Sequence, residues 1–404
     1  MGVQRSSSLL PLPIYMERIP SQLRILQHFL GRRLPYAPHA LEDAVFVGLD
    51  AEWFERGSKD ITELGFSILD SRNITTSLYS QEGIWGALQH MQVKHIRLRE
   101  TAHMVNTKLC PGRPDKFAFG ETRFVHMDEA RNILQEAFIH PINEYGSGNR
   151  PVIFIGHAVD NDIEMMKQHF GIDLNDLGTI VATLDTQILA QEAHLCPNWK
   201  KMCLKDLLRV FGLCEKYLHT AGNDIAYTMI AALLTATFDM QEDASWLGDA
   251  MAGQTHVEYL KEEIAAQPQP SFGISTFCTR CDATDHFVPD CTLPVHCDKC
   301  AEATTRARHA HTHKTSKCGI VDKPQTPELP SPPVVIPCLY CLESTEERRW
   351  KKAHTHLTEA CGFAMQMQMQ QEAYAYGSAV YCPVLMDFQI PYGGLGYFNV
   401  LPIS

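Results

Sequence analysis

Nowhere in its 404 residues does the chain hold a run approaching the roughly 18 consecutive apolar residues that a membrane span requires. The N-terminus also lacks the short apolar core and small-residue cleavage site of a secretory signal, so the sequence predicts a soluble intracellular protein with no membrane partner. Positive charge is in deficit, since 35 Lys and Arg against 47 Asp and Glu leave a net charge of −12. A uniformly basic nucleic-acid grip is thereby excluded, because polyanion affinity comes largely from Lys and Arg, and any such contact must be local. Wholesale disorder is excluded as well: 45% of residues are hydrophobic and only 20% charged, enough for one sizeable core with smaller modules beside it. Lys is missing from residues 1–40, which carry Arg5, Arg18, Arg24, Arg32 and Arg33 against one acid, Glu17. That pattern permits mitochondrial import, while the apolar spacing from Leu23 to Leu30 equally predicts a short helix packed on the next domain. Met1 to Ser6 matches the loose myristoylation pattern. The expected compartment is cytoplasm or nucleus, with mitochondria allowed by the N-terminus.

What is present divides the chain. Residues 1–40 read as a helical extension and 41–240 as the main domain, followed by a helix and linker over 241–274 that ends in Gln267-Pro268-Gln269-Pro270. Residues 275–320 form a Cys/His module, 321–337 a Pro-rich linker, 338–362 a second copy of the Cys/His repeat, and 363–404 a Met/Gln- and Tyr/Gly-rich tail without usable periodicity. In the main domain, Val45 to Leu49, Ile61 to Leu69, Pro151 to Gly156 and Ile180 to Leu184 are apolar runs of strand length. Asp128 to Phe138, Asn161 to Phe170, Leu204 to Phe211 and Ala221 to Thr237 have helical spacing. The alternation predicts an α/β fold, a buried central sheet flanked by helices.

The first strand ends in Asp50-Ala51-Glu52, and the two-residue period of a strand puts both carboxylates on one face at its C-terminal end, where open α/β sheets bind ligands. Like charges so close call for a cation. After the third run comes His157, with Asp162 five positions on at a helix start; Asp160, closer to the strand, competes with Asp162 or caps the helix. His219 precedes Asp224 by five residues at the opening of the last helix. Four acids and a His at three element ends of one sheet suit a two-metal hydrolase.

The order Asp50-x-Glu52, His157 with Asp162, and His219 with Asp224 resembles the DEDDh subgroup of 3′→5′ exonucleases, over Val45 to Thr237. Glu63-Leu64-Gly65, Leu184-Asp185-Thr186 and Leu204-Lys205-Asp206-Leu207 are similar to companion segments of that family. The stretch from His95 through Glu121 and the His219-to-Asp224 segment, with its Gly222-Asn223-Asp224 run, are further similar to a fungal branch associated with RNA export and silencing. The resemblance implies an RNase H-like mixed sheet. Asp50, Glu52, Asp162 and Asp224 would hold two Mg²⁺ or Mn²⁺ ions about 4 Å apart, with His219 as general base. Asp185 and Asp206 read as structural. The implied substrate is single-stranded nucleic acid, RNA ahead of DNA; the rival class is an RNA- or protein-binding adaptor without significant catalysis.

Local charge agrees with a nucleic-acid substrate. Residues 94–123 hold seven basic groups, Lys94, Arg97, Arg99, Lys108, Arg113, Lys116 and Arg123, against three acids, interleaved with Phe117 and Phe119. Six of these (Arg97, Arg99, Lys108, Arg113, Lys116 and Arg123), with Phe117, are the candidate phosphate and base contacts; the alternative is a solvated loop whose Phe side chains are core.

Nine of the 14 Cys fall between Cys278 and Cys361 with seven His among them, which indicates metal ligation rather than disulfides. Cys278-x2-Cys281-x4-His286-x4-Cys291 has the spacing of a CCHC zinc knuckle. It resembles the knuckles that bind single strands, although Asp285 stands where small residues are usual. Cys297, Cys300, His313 and Cys318 form a second set, and Cys338, Cys341, His356 and Cys361 a third. The segments ending in Cys318 and Cys361 match at six of nine positions, so the unit is repeated. Three Zn²⁺ are expected, with His311 and His354 as alternative ligands; a rival grouping joins Cys278, Cys281, Cys297 and Cys300 in a zinc ribbon. Residues 271–361 carry eleven basic and eleven acidic side chains, a balance that leaves room for a protein partner on these modules.

Overall fold

The computed structural model describes residues 11–55, 59–77, 80, 82–143, 148–238, 250–319, 338–344, 346–353 and 361–362, in a chain of two compact units, Met1–Ile320 and Val321–Ser404. The first unit is built on β1 (Val45–Trp53), β2 (Ile61–Asp70), β3 (Gln92–Leu98), β4 (Thr122–Val125), β5 (Val152–Gly156) and β6 (Ile180–Asp185). They lie in the order β4-β3-β2-β1-β5-β6. Only β2 runs antiparallel to its neighbours; β1 with β5, β5 with β6 and β3 with β4 are parallel, which makes the sheet mixed.

Among the described residues the α-helices of this unit are α1 (Leu12–Met16), α2 (Gln22–Phe29), α3 (Ser71–Ser77), α4 (Gly83–Leu88), α5 (Met127–Ala137), α6 (Asp160–Phe170), α7 (Thr186–Glu192), α8 (Leu204–Val210), α9 (Ala221–Thr237), α10 (Ala250–Ala265) and α11 (Asp298–Glu302). One core lies under α5 and α6 and takes Val45, Val47, Leu49 and Ala51 from β1. The other lies under α2, α7, α8 and α9 and takes Phe46. Alternation therefore turns Gly48, Asp50 and Glu52 toward α9. Helix α9 is apolar on every side because it is covered on every side: all 17 of its residues are buried between β1, β2 and the helices α2, α7 and α8.

Two glycines set how closely α9 starts against the sheet. A Cβ at Gly65 would lie 2.0 Å from the Ala221 carbonyl oxygen, and one at Gly222 would lie 2.7 Å from the His95 Cβ. Gly65→Ala is expected to cost about 1–3 kcal/mol of stability through overpacking. It should also move the segment carrying His219 and Asp224, so a melting curve and an activity assay on one preparation should both fall.

The expected N-terminal helix is α2, capped by the Ser21 hydroxyl, which accepts from the Arg24 N–H at 3.1 Å, with Leu26, Phe29 and Leu30 buried in the main core. The sequence reading passed over β3 and β4. In β3 the buried positions include His95 and Arg97, whose polarity conceals the strand, and β4 has only four residues. The Gln/Pro segment read as a linker is pinned to the domain. Gln267 Nε2 donates to the carbonyls of Gln89 and Met91 at 3.0 and 3.2 Å, and Gln269 Oε1 accepts from the Glu121 N–H at 3.0 Å. Beyond it, Phe124 of β4 and Ile274 exchange two backbone hydrogen bonds of 2.8 and 3.0 Å, which fastens the start of the Cys/His module to the sheet edge. No helix among the described residues is long and apolar enough to cross a membrane.

The repeat read in the sequence has a structural counterpart within each unit. The Cys297 N–H donates to the Ala310 carbonyl at 2.7 Å, and the Cys338 N–H donates to the Ala353 carbonyl at 2.7 Å. His354, His356, the Pro-rich linker and the tail lie outside the described residues.

Candidate active site and cysteine clusters

Asp50, Glu52, Asp162, His219 and Asp224 line one cavity of about 740 Å³ at the C-terminal end of β1. Strand β1 delivers the first two. Asp162 arrives from the first turn of α6 and is held by the Ala51 N–H, which donates to its Oδ1 at 3.0 Å. Asp224 lies in the first turn of α9, and its carboxylate accepts from the His219 N–H at 3.1 and 3.0 Å. His219 adopts φ 65°, a left-handed conformation that folds the loop back over the helix start. Its Nδ1 comes to 3.9 Å from Glu52 Oε1 with the ring half-exposed at the cavity mouth. Asp160, the competing acid, is the exposed first residue of α6 and neither enters the cavity nor caps the helix. Asp185 accepts from the N–H groups of Ala158 and Gln187 at 3.1 and 2.8 Å, and Asp206 pairs with Arg209 at 3.0 Å.

The electrostatics are those of a cation site. Burial, and then the charge of Glu63, push the Asp50 carboxyl up to about 7. Glu52, Asp162 and Asp224 are raised well above the carboxylate range by burial first and by the Asp50 charge next. Asp50 Oδ2 is buried without a hydrogen-bond partner. Four acids facing one another with an orphaned oxygen fit divalent metal, which would neutralise them. Ligand atoms of Glu52, His219 and Asp224 lie within 4.8 Å of one another. Burial, and then the positive charge of Lys205, lower the His219 pKa, which favours the neutral imidazole that can accept a proton.

Further side chains line the cavity or brace its walls, and of these Lys59, Asn106 and Lys216 carried no signal in the sequence. Lys59, Lys205 and Lys216 supply positive charge at the rim. Asn106 spans to the end of β1, donating from Nδ2 to the Trp53 carbonyl at 2.8 Å and accepting at Oδ1 from the Glu55 N–H at 2.8 Å. Asn223, fully buried, accepts from the Ala118 N–H and donates to the carbonyls of Lys116 and Tyr217, tying two loops to the head of α9. Glu63 is paired with buried His95 at 2.9 Å and accepts from the Ala221 N–H at 3.3 Å. The Gly-Asn-Asp run and the Glu63 segment carried this signal in the sequence.

The basic stretch is only partly what it seemed. Arg97 is buried, Arg123 donates from Nε to the Phe272 carbonyl at 3.0 Å, and Arg99 Nη1 meets His126 Nε2 at 3.0 Å. Phe117 packs on His95 with ring centroids 5.0 Å apart, and Phe119 is core. Lys108, Arg113 and Lys116 remain at the surface, the last two paired with Asp115. The reading of the whole segment as an open binding tract is corrected accordingly: β3 and β4 claim the inward half.

Three cysteine clusters are assembled. Cys278, Cys281, His286 and Cys291 form one, Cys297, Cys300, His313 and Cys318 a second, and Cys338, Cys341 and Cys361 a third among the described residues, each with ligand atoms within 4.8 Å. The ribbon grouping is thus not the one adopted. Burial and neighbouring thiols push Cys300 and Cys341 up to about 11, while hydrogen bonds from His286 and Arg280 outweigh burial and bring Cys291 down to about 6. Such sets could hold zinc. Asp285 has a reason to precede His286: its Oδ1 takes the Nδ1 proton at 2.6 Å and directs Nε2 at the Cys281 thiol, 3.4 Å away. His311 lies against His296, the rings tilted with centroids 5.1 Å apart, and is outside the second cluster.

Residues 45–235 match the family model for the DNA polymerase III subunit epsilon-like, C-terminal domain, of DEDDh type. Among curated proteins, the "Uncharacterized protein YDR514C" of Saccharomyces cerevisiae is 24% identical over 216 residues, 49% of this chain and 42% of its own length. "Good for full DBP5 activity protein 2" of the same yeast is 26% identical over 208 residues, 47% of this chain and 35% of its own. The chain thus spans well under two thirds of these relatives. A solved exonuclease I structure is 12% identical, with 49% of this chain and 42% of that one covered at a TM-score of 0.32. The family-model match spans all six strands and every residue lining the carboxylate cavity.

Proposed function

We propose that the domain of residues 45–235 is a metal-dependent 3′→5′ exonuclease acting on single-stranded nucleic acid, RNA in preference to DNA. The observation that carries this reading is the convergence of four carboxylates, Asp162 and Asp224 buried and Asp50 and Glu52 partly so, and one His on a single cavity. Asp50, Glu52, Asp162 and Asp224 would hold two Mg²⁺ or Mn²⁺ ions. Such ions, when bound, polarise the scissile phosphate and stabilise both the attacking and leaving oxygens. His219, half-exposed at the mouth, takes the proton from the attacking water. Lys59, Lys205 and Lys216 draw the phosphates toward the acids. The Cys/His clusters would each take one Zn²⁺. The test is digestion of single-stranded RNA and DNA labelled at either end. Release of the 3′ label as mononucleotide, with the 5′-labelled strand shortening one nucleotide at a time, is the expected result, and internal cuts or early release of the 5′ label as mononucleotide would refute the direction.

His219→Ala should slow single-turnover hydrolysis by about 10²–10⁴-fold, the usual contribution of a general base, with substrate affinity changed only a few-fold. A near-normal single-turnover rate with a lowered melting temperature would make His219 a structural residue of the loop before α9.

A further inference from the structure

A second cavity, of about 490 Å³, lies where the first Cys/His module meets the sheet edge. Its floor is Phe124 of β4 and Phe277, both buried, with ring centroids 5.5 Å apart. Phe287, the residue after His286, lines the cavity with its ring centroid 6.4 Å from that of Phe124 and is 45% exposed, which leaves aromatic surface open to a ligand. Val288, 43% exposed, extends that apolar wall. Arg97 also lines the cavity; its guanidinium sits 5.5 Å from the Phe124 ring centre, and its Nε is buried without a partner. Asp115 and Asp290 offer carboxylates at the margin, suited to the exocyclic amines of a base, and Asp115 is screened by Arg113 and Lys116.

The cavity is close to the carboxylate site along one loop. Pro111 lines the active-site cavity and Pro114 lines this one; three residues can span at most about 11 Å. The intervening backbone is fixed to the catalytic loop, for Thr220 Oγ1 donates to the Arg113 carbonyl at 3.0 Å and a Cβ on Gly112 would come within 2.8 Å of the His219 carbonyl. Arg113 and Lys116, both exposed, mark a phosphate path over this loop.

We propose that this groove is a substrate subsite shared by the sheet edge and the first Cys/His module, which stacks an unpaired nucleobase a few nucleotides upstream of the 3′ end in the carboxylate cavity. It rests on the nuclease reading for its orientation. A π face, a buried cationic group beside it and basic residues on the path between the two cavities match a single strand, whose bases are free to stack. The groove makes affinity depend on substrate length: a dinucleotide ends before reaching it, whereas a dodecamer fills both sites.

The test uses the full chain without added Mg²⁺ or Mn²⁺ and a fluorescein-labelled oligoadenylate dodecamer, with an abasic dodecamer and a dinucleotide beside it. Phe287→Ala should weaken dodecamer binding by about tenfold, within the range of a lost base–aromatic stack, and leave the other two ligands unchanged. Phe287→Trp should restore the affinity and Phe287→Leu should not, with zinc content and melting temperature equal in all three variants. Dodecamer affinity unchanged by Phe287→Ala, or equally weakened for the abasic strand, overturns the proposal. The outcomes separate the two readings: Phe287-dependent binding by a chain that never hydrolyses RNA would refute the nuclease and keep the groove, and hydrolysis with no Phe287 dependence would do the reverse. If Phe287→Ala loses zinc, Val288→Ala, which trims the same wall farther from His286, must reproduce the length-dependent loss or the groove is refuted.

Discussion

Asp50→Asn should leave a protein that melts several degrees higher than wild type when no divalent metal is added, yet cleaves about a thousandfold more slowly or not at all when Mn²⁺ is supplied. Both effects have one cause. The Asp50 carboxyl is buried, one oxygen has no partner, and its pKa is pushed up to about 7 by burial and by Glu63. A group whose folded pKa lies above its unfolded value near about 3.9 destabilises the fold as pH rises through that window, fully so above the folded pKa. The stability gap between variant and wild type should therefore be small near pH 4 and largest above pH 7. Asn keeps the shape without the charge, so the metal-free fold gains while metal affinity is lost. Thermal melts across pH with and without Mn²⁺ check this; a variant less stable than wild type at pH 8 without metal would show that the acids are not in mutual repulsion.

Purification without chelators should return three zinc ions per chain, and Cys297→Ser should return two. The clusters bury little besides Cys and Ala: the third consists of Cys338, Cys341, Cys361 and Ala353 with Leu342 packed on it. Apolar burial on that scale cannot offset the entropy of ordering the chain, so metal would supply the folding free energy, about 10–16 kcal/mol per structural site. Stripping zinc should unfold the module that begins at Phe277 and expose amides such as that of Cys297, bonded to Ala310, to rapid hydrogen exchange. Metal analysis finding one ion or none would contradict zinc-dependent folding of these modules.

The acids were legible because strand period and helix start are short-range properties. Asp50 and Glu52 needed only alternation, whereas the choice of Asp162 over Asp160 came from the family resemblance, whose spacing from His157 it matches. The cysteine grouping was legible through the repeat, since Cys297 and Cys300 are required to complete the unit echoed at Cys338. What could not be read was whatever the sheet edge decides. β3 and β4 hide behind His95, Arg97 and Arg123, polar side chains whose partners, Glu63, the Ala102 carbonyl and the Phe272 carbonyl, are remote in sequence or supplied by another loop. For the same reason Phe117 read as a stacking platform and is instead wedged between His95 and Gly222. Likewise, no local pattern announces that Phe124 pairs with Ile274 across 150 residues and so brings Phe287 to the edge of the sheet.

The measurement that bears most directly on the carboxylate site is single-turnover release of the 3′-terminal nucleotide from a single-stranded RNA, followed with and without added Mn²⁺ for wild type and Asp50→Asn prepared in parallel. Release by wild type only, and only with metal, is the expected result. Equal release by both proteins, or an intact strand with wild type in saturating Mn²⁺, would contradict it.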